Sequence, residues 1–226
     1  MVVRRVLFFG LAIAFVACAD GPRARSRRPS TARLVRSADR AERQCLLKSD
    51  RASCRAAFAT WESLCKKAPA YCARAGNLAW MANVASASRS QELLRDGCAR
   101  GDDGSCASAA SRVLFADAPG SVEDALLQAD RTCQKGEWLG CQTLATELEL
   151  GRHVPRDVPR AVKTLEYSCL KIEDGAACID AGRLTITEWG AAEAARARTS
   201  FDEACRLGFD EGCFRRDALD AKLARP

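Results

Sequence analysis

Small and apolar residues recur along this chain at helical spacing, measured from its cysteines. Four residues past Cys72, Cys106, Cys141 and Cys178 stand Gly76, Ala110, Ala145 and Gly182. Eight residues before Cys98, Cys133, Cys169 and Cys205 stand Ser90, Ala125, Ala161 and Ala197, and four before them Leu94, Ala129, Leu165 and Phe201. Steps of four fall on one helix face. The pattern predicts two helices per unit, an A helix after one cysteine and a B helix before the next. The small residue in each A helix allows close approach of a neighbouring helix.

The cysteines define the repeat. Twelve of them form six close pairs, 45/54, 65/72, 98/106, 133/141, 169/178 and 205/213, with six to eight residues between partners. The first members of the last four pairs are 35, 36 and 36 residues apart, a period that signals stacked units. Only 11 residues lead from Cys54 to Cys65, so the N-terminal unit is truncated or atypical, as capping units are. Helix signals agree. Ser121 with Asp124 reads as a capping box. Asp157 with Pro159 just inside opens another helix. Gly101, Gly136 and Gly208, three residues past a cysteine, stand where left-handed helix stops belong.

The N-terminus has a different pattern. Arg4 and Arg5 precede an unbroken run of 12 apolar or small residues, Val6 to Ala17. A spanning helix needs about 20, so 1–17 reads as a secretory signal peptide. Phe15-Val16-Ala17-Cys18 resembles the lipobox of bacterial lipoproteins, with Phe15 in place of the usual Leu. That resemblance implies acylation of Cys18; cleavage after Ala19 is the competing reading. Residue 19 is Ala rather than Asp, which by the same resemblance implies an outer-membrane anchor. Residues 18–40 read as the lipidation site and a basic flexible tether, with Gly21, Pro22 and Pro29 breaking helical pattern until about residue 31. Residues 41–226 read as the repeat domain.

Charge and composition narrow the function classes. The chain of 226 residues has a net charge of +6, and residues 19–44 alone carry +5. Arg23, Arg25, Arg27, Arg28, Arg33, Arg36, Arg40 and Arg43 make that segment suited to anionic headgroups, or equally to a solvated spacer. Residues 45–226 carry −1, which argues against a nucleic-acid-binding body. One histidine, His153, leaves no basis for a His-rich centre and reads as a solvated loop residue. Aromatic content of 6% predicts an Ala-rich, aromatic-poor core.

The segment GCQTLATELELGRHVPRDVPRAVKTLEYSC, from Gly140, resembles the Sel-like repeat, a relative of the tetratricopeptide repeat. Val154, Asp157 and Ala161 occupy the family's positions. The resemblance is closest over 133–213, less close over 72–133 and least before 72. The regular cysteine pairs resemble the secreted, cysteine-rich bacterial branch. The resemblance implies an all-α, right-handed α/α solenoid of about four to five helical hairpins with disulfide-bridged corners.

Two disulfide connectivities are open. Local pairing joins Cys45–Cys54, Cys65–Cys72, Cys98–Cys106, Cys133–Cys141, Cys169–Cys178 and Cys205–Cys213. Pairing within units joins 72–98, 106–133, 141–169 and 178–205, needs 54–65, and strands Cys45 and Cys213. The local scheme leaves no thiol over and is preferred. Zinc knuckles favour cysteines about two to four apart. No C-x-x-C occurs here, so neither a metal site nor a thioredoxin-like motif is expected.

The expected partner is a protein or peptide on the concave A-helix surface. Asn77, Trp80, Arg112, Glu147 and Arg183 are the candidate contacts, and no cofactor is implied. Ser63-Leu64-Cys65-Lys66 matches S-x-x-K, and the resemblance associates the cysteine-rich branch with penicillin binding and β-lactamase activity. The companion motifs are missing, since Leu165 follows Lys163-Thr164. A helix surface beside a disulfide explains the tetrapeptide equally. A structural envelope lipoprotein without a discrete ligand is the third reading.

Overall fold

A computed structural model describes residues 30–224; the signal segment and Cys18 lie outside the described residues. Among the described residues, eleven α-helices follow one another: α1 Thr31–Lys48, α2 Arg51–Cys65, α3 Cys72–Met81, α4 Ala87–Ala99, α5 Asp103–Phe115, α6 Val122–Gln134, α7 Trp138–Leu150, α8 Val158–Lys171, α9 Gly175–Trp189, α10 Ala194–Arg206 and α11 Asp210–Leu223. The described residues contain no strand. Each helix packs antiparallel on the next. α3, α5, α7 and α9 are the A helices, and α4, α6, α8 and α10 the B helices. A helices also pack on one another, α5 on both α3 and α7, which makes the array an α/α solenoid.

Polar residues mark the starts and glycines several of the stops. The Ser121 hydroxyl accepts from Asp124 N at 3.2 Å and Asp157 from Arg160 N at 3.0 Å, as their spacing predicted. Asp50, Ser86, Asp102 and Asp174 cap α2, α4, α5 and α9 in the same way. Gly101, Gly136 and Gly208 adopt φ of +90°, +88° and +86° at the corners, a conformation that costs a side chain strain.

All six local disulfides are formed, with Cα–Cα distances of 4.4–4.7 Å. Each joins the end of one helix to the start of the next. α2 is bridged at both ends, to α1 through Cys45–Cys54 and to α3 through Cys65–Cys72. That is the shortened N-terminal unit, one helix serving where the repeat has two. At two corners a glycine before the closing cysteine permits the close approach. A Cβ on Gly140 would stand 2.7 Å from Cys133 N and 2.9 Å from Ala129 O; one on Gly212 would stand 2.8 Å from both Cys205 N and Phe201 O.

The face predicted for the B helices is the buried one: Ser90, Leu94, Ala125, Ala129, Ala161, Leu165, Ala197 and Phe201 are all nearly inaccessible. Gly76 receives Leu94 and Gly182 receives Phe201, each within 2.6 Å of where a Cβ would be. The core is largely Ala and Leu, with Trp61 and Phe201 as large aromatic exceptions among the described residues. Trp61 is fully buried between α1, α2 and α3, its Nε1 donates to Glu42 Oε2 at 2.9 Å, and Tyr71 stacks on it at 5.8 Å.

The tether boundary needs correction. Residues 31–40 are helical rather than flexible, because Ser30 caps α1 and Leu34, Val35 and Ala38 pack against α2 and α3.

Candidate interaction face

The five candidate contacts all lie on A helices, yet they divide sharply by depth. Arg112, on α5, is 6% exposed. Its Nη2 donates to the Gly76 carbonyl at 3.0 Å and to Asn77 Oδ1 at 3.1 Å, and its Nη1 donates to Ser90 Oγ. Asn77 Nδ2 donates in turn to Ser108 Oγ at 3.0 Å. No carboxylate joins this cluster among the described residues. Burial pushes the Arg112 guanidinium pKa down to about 10, still above neutrality, so the group stays a cation. Above it lies the ring of Trp80, 5.1 Å from the guanidinium carbon and 51% exposed at its other surfaces.

Glu147, at the equivalent position on α7, is fully buried. It accepts from Arg152 Nη2 at 2.6 Å, and its second oxygen lies 2.9 Å from His153 Nδ1. Arg152 in turn covers the ring of Phe115 at 4.6 Å. Arg112 and Glu147 are thus internal fasteners and not surface contacts. A helices are flanked on both sides in a solenoid, so a mid-helix polar residue can be enclosed. His153 is the exposed loop residue expected, and its Nδ1 also reaches Glu147. Arg183 sits at the surface and pairs with Glu149 at 3.3 Å through two nitrogens. This pair, with Asp180 nearby, holds the Arg183 pKa above its ordinary value.

The arrangement brings Asn77, Trp80 and Arg112 together. It leaves Glu147 and Arg183 in separate clusters further along. It also exposes residues the sequence reading missed. Met81, Phe115 and Leu150 are each nine residues past an A-helix cysteine and stand 57%, 38% and 53% exposed. The signal was a recurring apolar residue at a fixed offset. Beside Phe115, a cleft of about 200 Å³ opens between α5 and α7, lined by Ser111, Phe115, Leu139, Gln142, Thr143 and Thr146. Thr143 is buried and its Oγ1 has no hydrogen-bond partner.

Ser63 lies exposed on α2, with Lys66 just past the helix end and Leu64 and Cys65 buried between them. Lys163 and Thr164 are on α8, six helices away, and the Thr164 hydroxyl is engaged with the Arg160 carbonyl at 2.9 Å. The motif is therefore helix surface beside a disulfide. Asp96 approaches Cys65 Sγ at 3.9 Å and Cys72 Sγ at 4.0 Å, but both sulfurs are spent in their bridge and offer no thiolate to a metal.

The fold and these corners define a class, the α/α solenoids of disulfide-linked hairpins. Within it, the chain has the fold of Sel1 repeat proteins. It superposes on a Sel1 repeat protein from Oxalobacter formigenes with a TM-score of 0.60 and 14% identity, covering 79% of this chain and 75% of that one. It superposes on c5321, a protective antigen of uropathogenic Escherichia coli with an SLR fold, with a TM-score of 0.63 and 15% identity, covering 85% of this chain but 42% of that one. A third similar structure is a protein of Klebsiella pneumoniae assigned to the sel1 repeats, at 0.50 and 17%, covering 83% and 99%. No family model and no curated protein matches the sequence.

Proposed function

We propose that this chain is an exported, lipid-anchored scaffold of the bacterial envelope that holds a protein or peptide partner along its A helices. The observation carrying this reading is the row of exposed apolar residues Trp80, Met81, Phe115 and Leu150 on three consecutive A helices. Singly exposed apolar residues need no explanation, whereas a row at a repeated offset does. Arg112 and Arg152 lie against Trp80 and Phe115 and hold those rings in place, so little side-chain freedom is lost when a partner packs on them. The cleft at Phe115 suits one inserted side chain.

Export and anchoring rest on the sequence of residues 1–18 and on the density of disulfides, which persist in oxidising compartments. Mass spectrometry of the mature N-terminus tests them: a diacylated Cys18 is expected, and an unmodified chain starting at Asp20 refutes the anchor. The scaffold reading is tested by a photo-crosslinking residue placed at Phe115 and, separately, at Leu127 on α6. A discrete adduct from position 115, absent from position 127 and lost with Trp80→Ala, is the expected result. Identical adduct patterns at both positions refute the groove. Nitrocefin turnover abolished by Ser63→Ala would replace this reading with the hydrolase.

A further inference from the structure

Helix α1 divides its charges in an unusual way. Its carboxylates turn inward: Asp39 pairs with Arg74 of α3 at 2.7 Å, and Glu42 accepts from the Trp61 indole and from Arg74. Its arginines turn outward. Arg33, Arg36, Arg40 and Arg43 are all exposed, and among the described residues no carboxylate pairs with any of them. Their spacing of three, four and three residues places them on one helix face, over about 15 Å of axis. Gln44, Leu47 and Lys48 continue that face, and an open trough of about 400 Å³ runs along it, with Asp39, neutralised by Arg74, at its edge. Leu46 and Leu47, at the end of the helix, are 54% and 82% exposed.

We propose that this face of α1 lies on an anionic phospholipid bilayer, with the arginines among the headgroup phosphates and the two leucines at the acyl boundary. Two observations select a membrane as the occupant. The face presents an uncompensated cationic stripe suited to anionic headgroups, with Leu46 and Leu47 exposed at its end. The chain preceding it carries four more arginines, Arg23, Arg25, Arg27 and Arg28, and leads back to the apolar run ending at Ala17. The carboxylates that would otherwise repel the surface are consumed by Arg74. This surface differs from the A-helix groove, and the proposal does not need Cys18 to be acylated. Docked in this way, α1 fixes the orientation of the solenoid on the membrane, which a flexible tether cannot do.

The test compares partitioning of the full chain onto phosphatidylcholine vesicles and onto vesicles of phosphatidylcholine with phosphatidylglycerol. An acyl or apolar anchor contributes to both, so their ratio isolates the electrostatic part. Replacing Arg33, Arg36, Arg40 and Arg43 together with Gln is expected to lower the ratio roughly 600-fold, at about fivefold per arginine. The same charge change made elsewhere, at Arg51, Arg55, Lys66 and Lys67, which are also exposed, is expected to leave the ratio within roughly threefold. Far-ultraviolet circular dichroism should be unchanged in both variants. Absence of any preference for the anionic vesicles overturns the proposal, as does an equal loss in both variants. Tighter binding of the chain to a DNA duplex than to the anionic vesicles, at the same salt, also overturns it.

Discussion

Arg112 on α5 and Gly76 on α3 are joined by a hydrogen bond of 3.0 Å, from the guanidinium of one hairpin to the backbone carbonyl of the one before it. The bond reaches its acceptor because Gly76 admits α4 so closely that Ser90 accepts from the same guanidinium. Replacing Arg112 with Ala removes three donated hydrogen bonds and leaves Asn77 Oδ1 without its donor, while the Ser90 hydroxyl still donates to the Gly76 carbonyl at 2.8 Å. A loss of about 2–4 kcal/mol is expected in denaturant unfolding. Arg112→Lys, which cannot reach the same acceptors at once, should recover less than half of it.

The Glu147 cluster makes a companion case. Glu147→Ala leaves Arg152 and His153 facing an empty, buried space and should cost about 3 kcal/mol, whereas Glu147→Gln, which keeps one acceptor, should cost less. Equal unfolding midpoints for the two variants would count against the hydrogen-bonded role.

Two glycine substitutions separate crowding from backbone strain. Gly140→Ala places a methyl 2.7 Å from the Cys133 nitrogen and is expected to cost about 1–3 kcal/mol or more, through displacement of the corner. Gly101→Ala meets open space and carries only the penalty of its φ of +90°, about 1 kcal/mol. Thermal melting of the two variants checks the order.

Each bridge closes a short loop, worth about 2.5 kcal/mol in the chain-entropy treatment. The paired replacement Cys133→Ala with Cys141→Ala should lower stability by about that amount, and full reduction should melt the fold at ambient temperature. A reduced protein that keeps its helical circular dichroism and its melting temperature would contradict this.

Acid should destabilise the protein within a defined window. The Asp50 carboxyl is held below its ordinary value by the Ser53 hydroxyl, Glu188 by Arg156 and Glu203 by Arg206. Folded values below unfolded ones mean that the folded state releases protons more readily. The stabilisation is therefore complete above the ordinary carboxylate range, near pH 4–4.5, and is lost as pH falls through the lowered values. Melting temperatures should be flat with respect to these three groups from pH 5 to pH 8 and decline below about pH 4.

Much of the architecture was readable because its determinants are local. Offsets of four from each cysteine located the buried faces of α3 to α10, and Ser121 and Asp157 marked two helix starts. Cysteine pairing was settled by the corners, where short turns bring successive helices within 4.4–4.7 Å between cysteine Cα atoms. The candidate site was less readable. Asn77 and Trp80 lie together on α3 beside Arg112, but Arg112 and Glu147 read as surface charges, because enclosure of an A helix depends on the neighbouring hairpins and leaves no local mark. The burial of Trp61 depends in the same way on α1, which the arginine-rich sequence disguised as tether.

The bridged corners alter what cleavage can do to the molecule. Every loop between bridged cysteines contains a trypsin-sensitive residue: Arg51, Lys66 or Lys67, Arg100, Lys135, Lys171 and Arg206. A cut at any of these severs the backbone inside a sulfur-closed ring, so the two pieces remain one covalent object with their helices still packed. A protease attacking the corners would nick this protein at every one of them and release nothing until a reductant arrived.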